Sequence, residues 1–145
     1  MFNFNVRVYG LYIEFGNILV SDEIIKGQNI TKFPGGGLED GEGTHDCLKR
    51  EWIEELQQKI EVKAHFYTTD FYQKSGFGDG SQIISIYYYV QPLEPLKVPL
   101  SEKPFNFNQA GNNRQSFRMI PLEVFSKKEV DLPIDKVVAE LLEKH

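Results

Sequence analysis

Four glutamates and one arginine stand close together in this chain: Glu42, Arg50, Glu51, Glu54 and Glu55. Residues three and four apart on a helix share one face. At about 100° per residue with Leu48 at zero, Glu54 falls at about 240°, Glu51 at about 300° and Glu55 at about 340°. Three carboxylates therefore crowd one sector of a predicted helix, with Glu42 just upstream. Like charges this close raise one another's pKa and repel, so the arrangement calls for a neutraliser. A hard divalent cation, which prefers oxygen ligands, is the simplest one, and such a site suits phosphate chemistry. Arg50 falls at about 200° on the same wheel, beside Glu54, where its job is to hold carboxylates rather than touch substrate.

The same helix has an apolar side. Leu48, Trp52 and Leu56 fall between about 0° and about 80°, so Trp52 reads as a core anchor. Thr44 is the predicted N-cap, with Asp46 in the first turn at the positive end of the dipole. Upstream, Gly35, Gly36 and Gly37 permit positive φ and close backbone approach, and the run is read as a sharp turn.

The stretch from Gly36 to Leu56 resembles the Nudix box. That pattern runs Gly, five residues, Glu, seven residues, Arg-Glu, a bulky apolar residue, any residue, Glu-Glu, any residue, Gly, apolar. Here Gly36 opens it, Glu42 follows, and Arg50-Glu51-Trp52-Ile53-Glu54-Glu55-Leu56 matches in order. Gln57 and Gln58 depart from the pattern at the helix exit, away from the carboxylates. The resemblance implies one Nudix α/β/α sandwich with a mixed β-sheet, spanning residues 1–145. It also implies a Mg2+ or Mn2+ cofactor held by the Gly36 carbonyl, Glu51, Glu54 and Glu55. Glu42 would hold the loop or bind an outer metal through water. Glu54 is the leading general base by the same resemblance, and Cys47 sits where a small apolar residue is common. The reaction implied is hydrolysis of a phosphoanhydride bond in a nucleoside diphosphate linked to another group.

The bulk composition fits a single globular domain. The chain has 145 residues, 41% hydrophobic and 26% charged, enough to bury a core. No apolar run of about 18 residues exists, so no membrane span is expected, and no signal segment is expected either. One cysteine excludes an internal disulfide and suits a cytoplasmic setting. A net charge of −5 argues against non-specific nucleic-acid binding, though not against a small nucleotide substrate. A homodimer is compatible with all of this.

In chain order, residues 6–15 read as a strand turning at Gly16-Asn17 into Ile18–Val20. Residues 21–29 read as a polar connection and 30–33 as a short extended piece, ended by Pro34. Residues 60–73 and 83–90 read as strands, the second buried on both faces. The glycine-rich connection 74–81 reads as a mobile hairpin loop, or as a lid with Phe77 at its tip. Residues 91–114, rich in proline and with Asn106, Asn108, Asn112 and Asn113, form a long irregular segment of the kind that carries function. Residues 116–120 read as a strand. Pro133 precedes a terminal helix with Ile134, Val137, Val138, Leu141 and Leu142 at helical spacing.

Substrate contacts are thinly marked. Arg7 reads first as a surface cation and second as a phosphate or ribose contact. Tyr72 and Tyr88 are candidates to stack on a base, although packing suits most aromatics here. Glu102, in the irregular segment, is a candidate late acidic residue by resemblance. Asp135 reads first as a helix N-terminal charge and second, by resemblance, as a reader of a purine edge. His45 and His65 read as exposed helix-start and strand residues, and His145 as terminal. The box leaves the substrate open among nucleoside triphosphates, ADP-ribose and nucleotide sugars. The alternative is a catalytically inactive nucleotide-sensing or protein-binding domain. A loss of box carboxylates would mark it, and none is lost.

Overall fold

The computed structural model describes residues 3–76, 78–107 and 114–144. Strand β1 (Phe4–Leu11) sits inside a four-stranded mixed sheet of order β5-β1-β7-β6, with β5 at Gly35–Gly37, β6 at Ile60–Thr68 and β7 at Gln82–Pro92. It pairs parallel with β7 and antiparallel with β5. A second sheet is built around β3 (Asn17–Ile25), which pairs with β2 (Ile13–Glu14), β4 (Gln28–Lys32) and β8 (Gln115–Pro121). Helix α1 (Thr44–Leu56) and helix α2 (Pro133–Glu143) complete the order. The α/β class is as read from the sequence. The strands divide between two sheets where a single mixed sheet was expected.

Alternation along the strands explains the layers. Side chains two apart face the same way. Val8, Leu19 and Val90 therefore join Cys47, Leu48, Trp52 and Leu56 of α1 in one buried cluster. Tyr9, Ile18, Val20 and Tyr87 join Ile134, Val138 and Ala139 of α2 in the other. Each central strand thus buries both faces under a helix, as the sandwich requires.

Several local expectations are corrected. Residues 21–29 are no loose connection: β3 runs on to Ile25, and a hairpin returns through Lys26 and Gly27, both at positive φ as a two-residue turn demands. The polar residues there hide by pairing. Asp22 is fully buried, bound by Arg118 at 2.7 and 3.2 Å and by the Thr31 hydroxyl at 2.6 Å. The predicted strand 6–15 breaks at Tyr12, and 60–73 ends at Thr68. Strand β7 is buried at Ser85, Tyr87 and Val90 and half-buried at most of its other positions. The glycine run is a strand, not a turn. Gly35 lies so close to β1 that a Cβ there would sit 2.1 Å from the Val8 carbonyl oxygen. The N-cap of α1 is Gly43, while Thr44 shares a 2.8 Å hydrogen bond with the Tyr88 hydroxyl.

The irregular segment after β7 is tied down where it is described. Leu100 bridges Phe117, and the Phe105 N–H donates to Asp22 at 3.3 Å. Asn108, Asn112, Asn113, Phe77 and His145 lie outside the described residues. Removing one partner of a buried ion pair strands the other charge. Asp22→Ala is therefore expected to lower the unfolding free energy by about 3–5 kcal/mol, read from urea denaturation.

Candidate active site

Helix α1 packs its apolar side inward and turns its carboxylates toward β5. Its exit explains the two departures from the box. Gln57 takes the left-handed conformation at φ 54° that a glycine usually supplies, and its N–H caps the Ile53 carbonyl at 3.0 Å. Gln58 is fully buried and donates to the Glu94 carbonyl at 2.9 Å, fastening the helix end to the segment after β7.

Arg50 is the hub of the acidic cluster. Its guanidinium donates to both oxygens of Glu42 at 2.8 and 3.0 Å, to Glu51 and Glu54 at 3.1 Å each, and to the Gly37 carbonyl at 2.9 Å. Those Arg50 hydrogen bonds, with one from the Glu39 backbone, hold the Glu42 carboxyl down at about 2. Arg50 thus performs the role read from the wheel. It also supplies part of the neutralisation that the sequence assigned wholly to a cation.

One guanidinium does not balance this many carboxylates. Among the described residues, no three acidic, histidine or cysteine side chains stand in ready-made ligand geometry, because Glu51 and Glu54 are turned onto Arg50. The donor set nevertheless fits a hard cation. Glu55 is largely buried, and its Oε2 has no hydrogen-bond partner. Burial pushes its carboxyl up to about 7, against the opposing pull of Lys32 and Arg7. A carboxylate oxygen buried without a partner is costly, and a divalent cation removes that cost. Gly36 leaves room for the arrangement: a Cβ there would lie 2.3 Å from the Glu51 carboxyl carbon. Cys47, buried beneath, directs its thiol at the Gly37 carbonyl at 3.5 Å, and burial lifts it to about 12. Its place is that of a buried packing residue.

Beside this cluster lies a cavity of about 420 Å³ between the sheets and the start of α2, walled by Arg7, Tyr9, Lys32, Tyr87, Ile134 and Asp135. Arg7 is no surface cation. It donates to the Tyr9 hydroxyl at 2.7 Å, and its charge acts on Glu51 and Glu55. Asp135 is no exposed helix charge either. It is fully buried, accepting from the Tyr87 hydroxyl and from the Phe33 N–H at 3.3 Å, and burial raises it to about 6. Lys74 and Gly76 of the glycine-rich loop border the cavity as well.

The other sequence candidates are placed elsewhere. Tyr72 is 68% exposed, and Glu102 is exposed on its segment; neither stands in this wall. Tyr88 faces the α1 side, its ring edge-on to His45 and His65. Sequence reading missed Lys32, Tyr9 and Tyr87 as site residues. Period-two alternation from Ile30 to Lys32 was the one available signal that this lysine points inward. A larger cavity of about 510 Å³ lies between Tyr12, Leu96 and Met119; no box residue lines either cavity, but the first is walled by Arg7 and Lys32, whose charges act on Glu55.

Fold and site together define an α/β/α domain whose first helix offers a cluster of hard oxygen donors beside a pocket. The NUDIX domain model matches residues 1–141, and the chain belongs to the Nudix hydrolase family. It is similar in structure to the E. coli ORF135 protein, with a TM-score of 0.75 and 19% identity over 99% of this chain and 91% of that one. It is likewise similar to a MutT protein from Methanosarcina mazei Go1, at 0.69 and 17% identity over 99% and 95%. An ADP-ribose pyrophosphatase from Streptococcus suis aligns at 0.63 and 16% identity over 96% and 87%. At such identities the likeness is one of fold. No curated protein matches the chain by sequence.

The Glu55 environment sets a pH test. The folded state keeps the Glu55 proton up to about 7, the unfolded state only to about 4.5. Between those values the folded protein binds more protons, so metal-free stability falls as pH rises. Asp135 contributes the same sign below about 6. Urea midpoints in chelator are therefore expected to fall from pH 6 to pH 7.5, and Glu55→Gln is expected to flatten that decline.

Proposed function

We propose that the chain is a metal-dependent pyrophosphohydrolase that cuts a phosphoanhydride bond in a nucleoside diphosphate-linked small molecule. One observation carries this reading: the box carboxylates are all present, with Glu42, Glu51 and Glu54 tied together by Arg50, beside a pocket with cations in its wall. The residues that would hold Mg2+ or Mn2+ are Glu51, Glu54, Glu55 and the Gly36 carbonyl, with Glu42 behind them. When bound, such an ion neutralises the diphosphate and polarises the phosphorus centre.

The chain's own groups take the remaining roles. Arg50 fixes Glu51 and Glu54 against each other. Arg7, beside Glu51 and Glu55 and in the pocket wall, is placed to meet a phosphate or ribose oxygen. Glu54, 56% exposed on its side chain, stands where water reaches it. It is the proposed base, taking a proton from the water that attacks phosphorus as the bridging P–O bond breaks. Asp135 and the surrounding rings are the proposed base-binding wall. Tyr72, Tyr88 and Glu102 gain no support from their positions.

The Streptococcus suis relative's description as an ADP-ribose pyrophosphatase supports the pyrophosphate class. The inactive-module alternative lacks an observation in its favour, since each box carboxylate is retained. The test is a screen with Mg2+ over ADP-ribose, dinucleoside polyphosphates, nucleotide sugars and nucleoside triphosphates, normal and oxidised, read as phosphate freed from the products by a coupling phosphatase, or by pyrophosphatase for the triphosphates. Turnover of at least one of them is expected, and silence across all of them refutes the reading. Glu54→Gln is expected to abolish that turnover while leaving the thermal transition nearly unmoved; unchanged turnover would remove Glu54 from the base role.

A further inference from the structure

Between the β2–β3 turn and the segment that follows β7 lies the cavity of about 510 Å³. None of the residues given a part in hydrolysis lines it. Its volume is that of a site for a small organic molecule. The floor is apolar: Tyr12 belongs to the buried cluster beneath α1, and Leu96 and Met119 pack against that cluster. The rim holds large apolar side chains in water, with Leu100 40%, Leu93 59% and Phe15 93% exposed.

Phe15 stands out among them. With Gly16 it makes the two-residue turn between Glu14 and Asn17, at φ 51° and 75°. Such a turn favours asparagine before the glycine, because a bulky residue is strained at positive φ. Here that position carries a phenyl ring that the fold does not bury. Folding gains nothing from this side chain, whereas an apolar ligand lying in the cavity gains a wall.

Charge selects the occupant. Glu14 and Glu94 stand in the lining, and no lysine, arginine or histidine does. Glu14 accepts from the Tyr12 hydroxyl and, among the described residues, pairs with no cation. Burial and the Glu14 carboxylate push the Tyr12 phenol up to about 12, so the negative charge of this pair stays on Glu14. The Glu94 carboxylate meets Lys97 at 3.3 Å, with both side chains half exposed. Ion pairs of that exposed kind are worth little and yield readily to a competing cation.

We propose that this cavity binds a small amphiphilic cation, a protonated amine on an apolar chain or ring. The apolar part lies against Tyr12, Met119 and Phe15, and the ammonium donates to Glu14. An anion of the same shape meets two carboxylates and is rejected. A neutral analogue keeps the apolar contacts and loses the ion pair. The cavity walled by Arg7 and Lys32 shares none of these lining residues, so occupancy of the two is independent.

The test uses octylammonium, octanol and octanoate, which share a tail and differ in the charge of the head. Each is titrated below its micelle concentration, with Mg2+ present, and followed by heteronuclear NMR. Octylammonium is expected to bind at least about threefold tighter than octanol, and octanoate weakest of the three. The amide shifts are expected to centre on Tyr12, Glu14, Leu93 and Met119. Glu14→Gln is expected to lower octylammonium affinity about threefold, leaving octanol binding and nucleotide turnover unchanged. Three results each overturn the proposal: no binding of octylammonium, octanoate binding as tightly, or shifts confined to the carboxylate face of α1.

Discussion

The guanidinium of Arg50 is the interaction on which the site depends. It reaches across from helix α1 to the Gly37 carbonyl on β5 and gathers Glu42, Glu51 and Glu54 on the way. Without it the helix would present a row of like charges to the glycine strand, and the strand would have no side chain of its own to answer them. The contact also explains why the strand is glycine. Any Cβ at Gly36 would occupy the volume of the Glu51 carboxyl. Helix, strand and charge are therefore one device: the strand gives up its side chains so that the carboxylates of the helix can come down onto its backbone.

The sheets connect this device to the cavity. On β1, Val8 packs toward α1 while its neighbour Tyr9 faces α2. Arg7 borders the cavity together with Tyr9, close enough for its charge to act on Glu51 and Glu55. On β4, Lys32 faces inward with its charge balanced by Glu23 from the neighbouring strand β3. Two cations thus stand between the acidic helix and the wall proposed to take the base. A ligand with an anionic middle and a heterocyclic end meets carboxylates, then cations, then aromatic rings and Asp135. That sequence of environments matches the chemistry of a nucleotide diphosphate, and it arises from residues on separate strands.

How much of this was legible depended on whether a residue's environment was local. The α1 face was readable because helical spacing alone brings Glu51, Glu54 and Glu55 together, and Leu48, Trp52 and Leu56 did become its buried stripe. The terminal helix followed from its apolar spacing in the same way. The β3–β4 hairpin was not readable, because Asp22, Thr31 and Lys32 look like loop residues until Arg118 and Glu23 arrive from other strands to pair with them. Arg7 and Asp135 were misjudged for the same reason: a charge reads as exposed when its partners are distant in sequence. Gly35–Gly37 defeated intrinsic preference outright, since pairing with β1 overrides the weak strand tendency of glycine.

The two adjacent carboxylates Glu54 and Glu55 show what burial does to identical side chains. Glu54 is more than half exposed and bound to Arg50 at 3.1 Å. Glu55, one residue later, turns into the protein, where desolvation pushes its carboxyl up to about 7 and one oxygen stays without a partner. Environments that push neighbouring groups apart in this way commonly divide the labour of a site. Here the division follows helix geometry: a step of about 100° moves the side chain from the solvent edge to the interior. The proposed base is the carboxylate that water can approach. The carboxylate with the unmet oxygen has most to gain from a cation, since burial costs it more than the nearby Lys32 and Arg7 return.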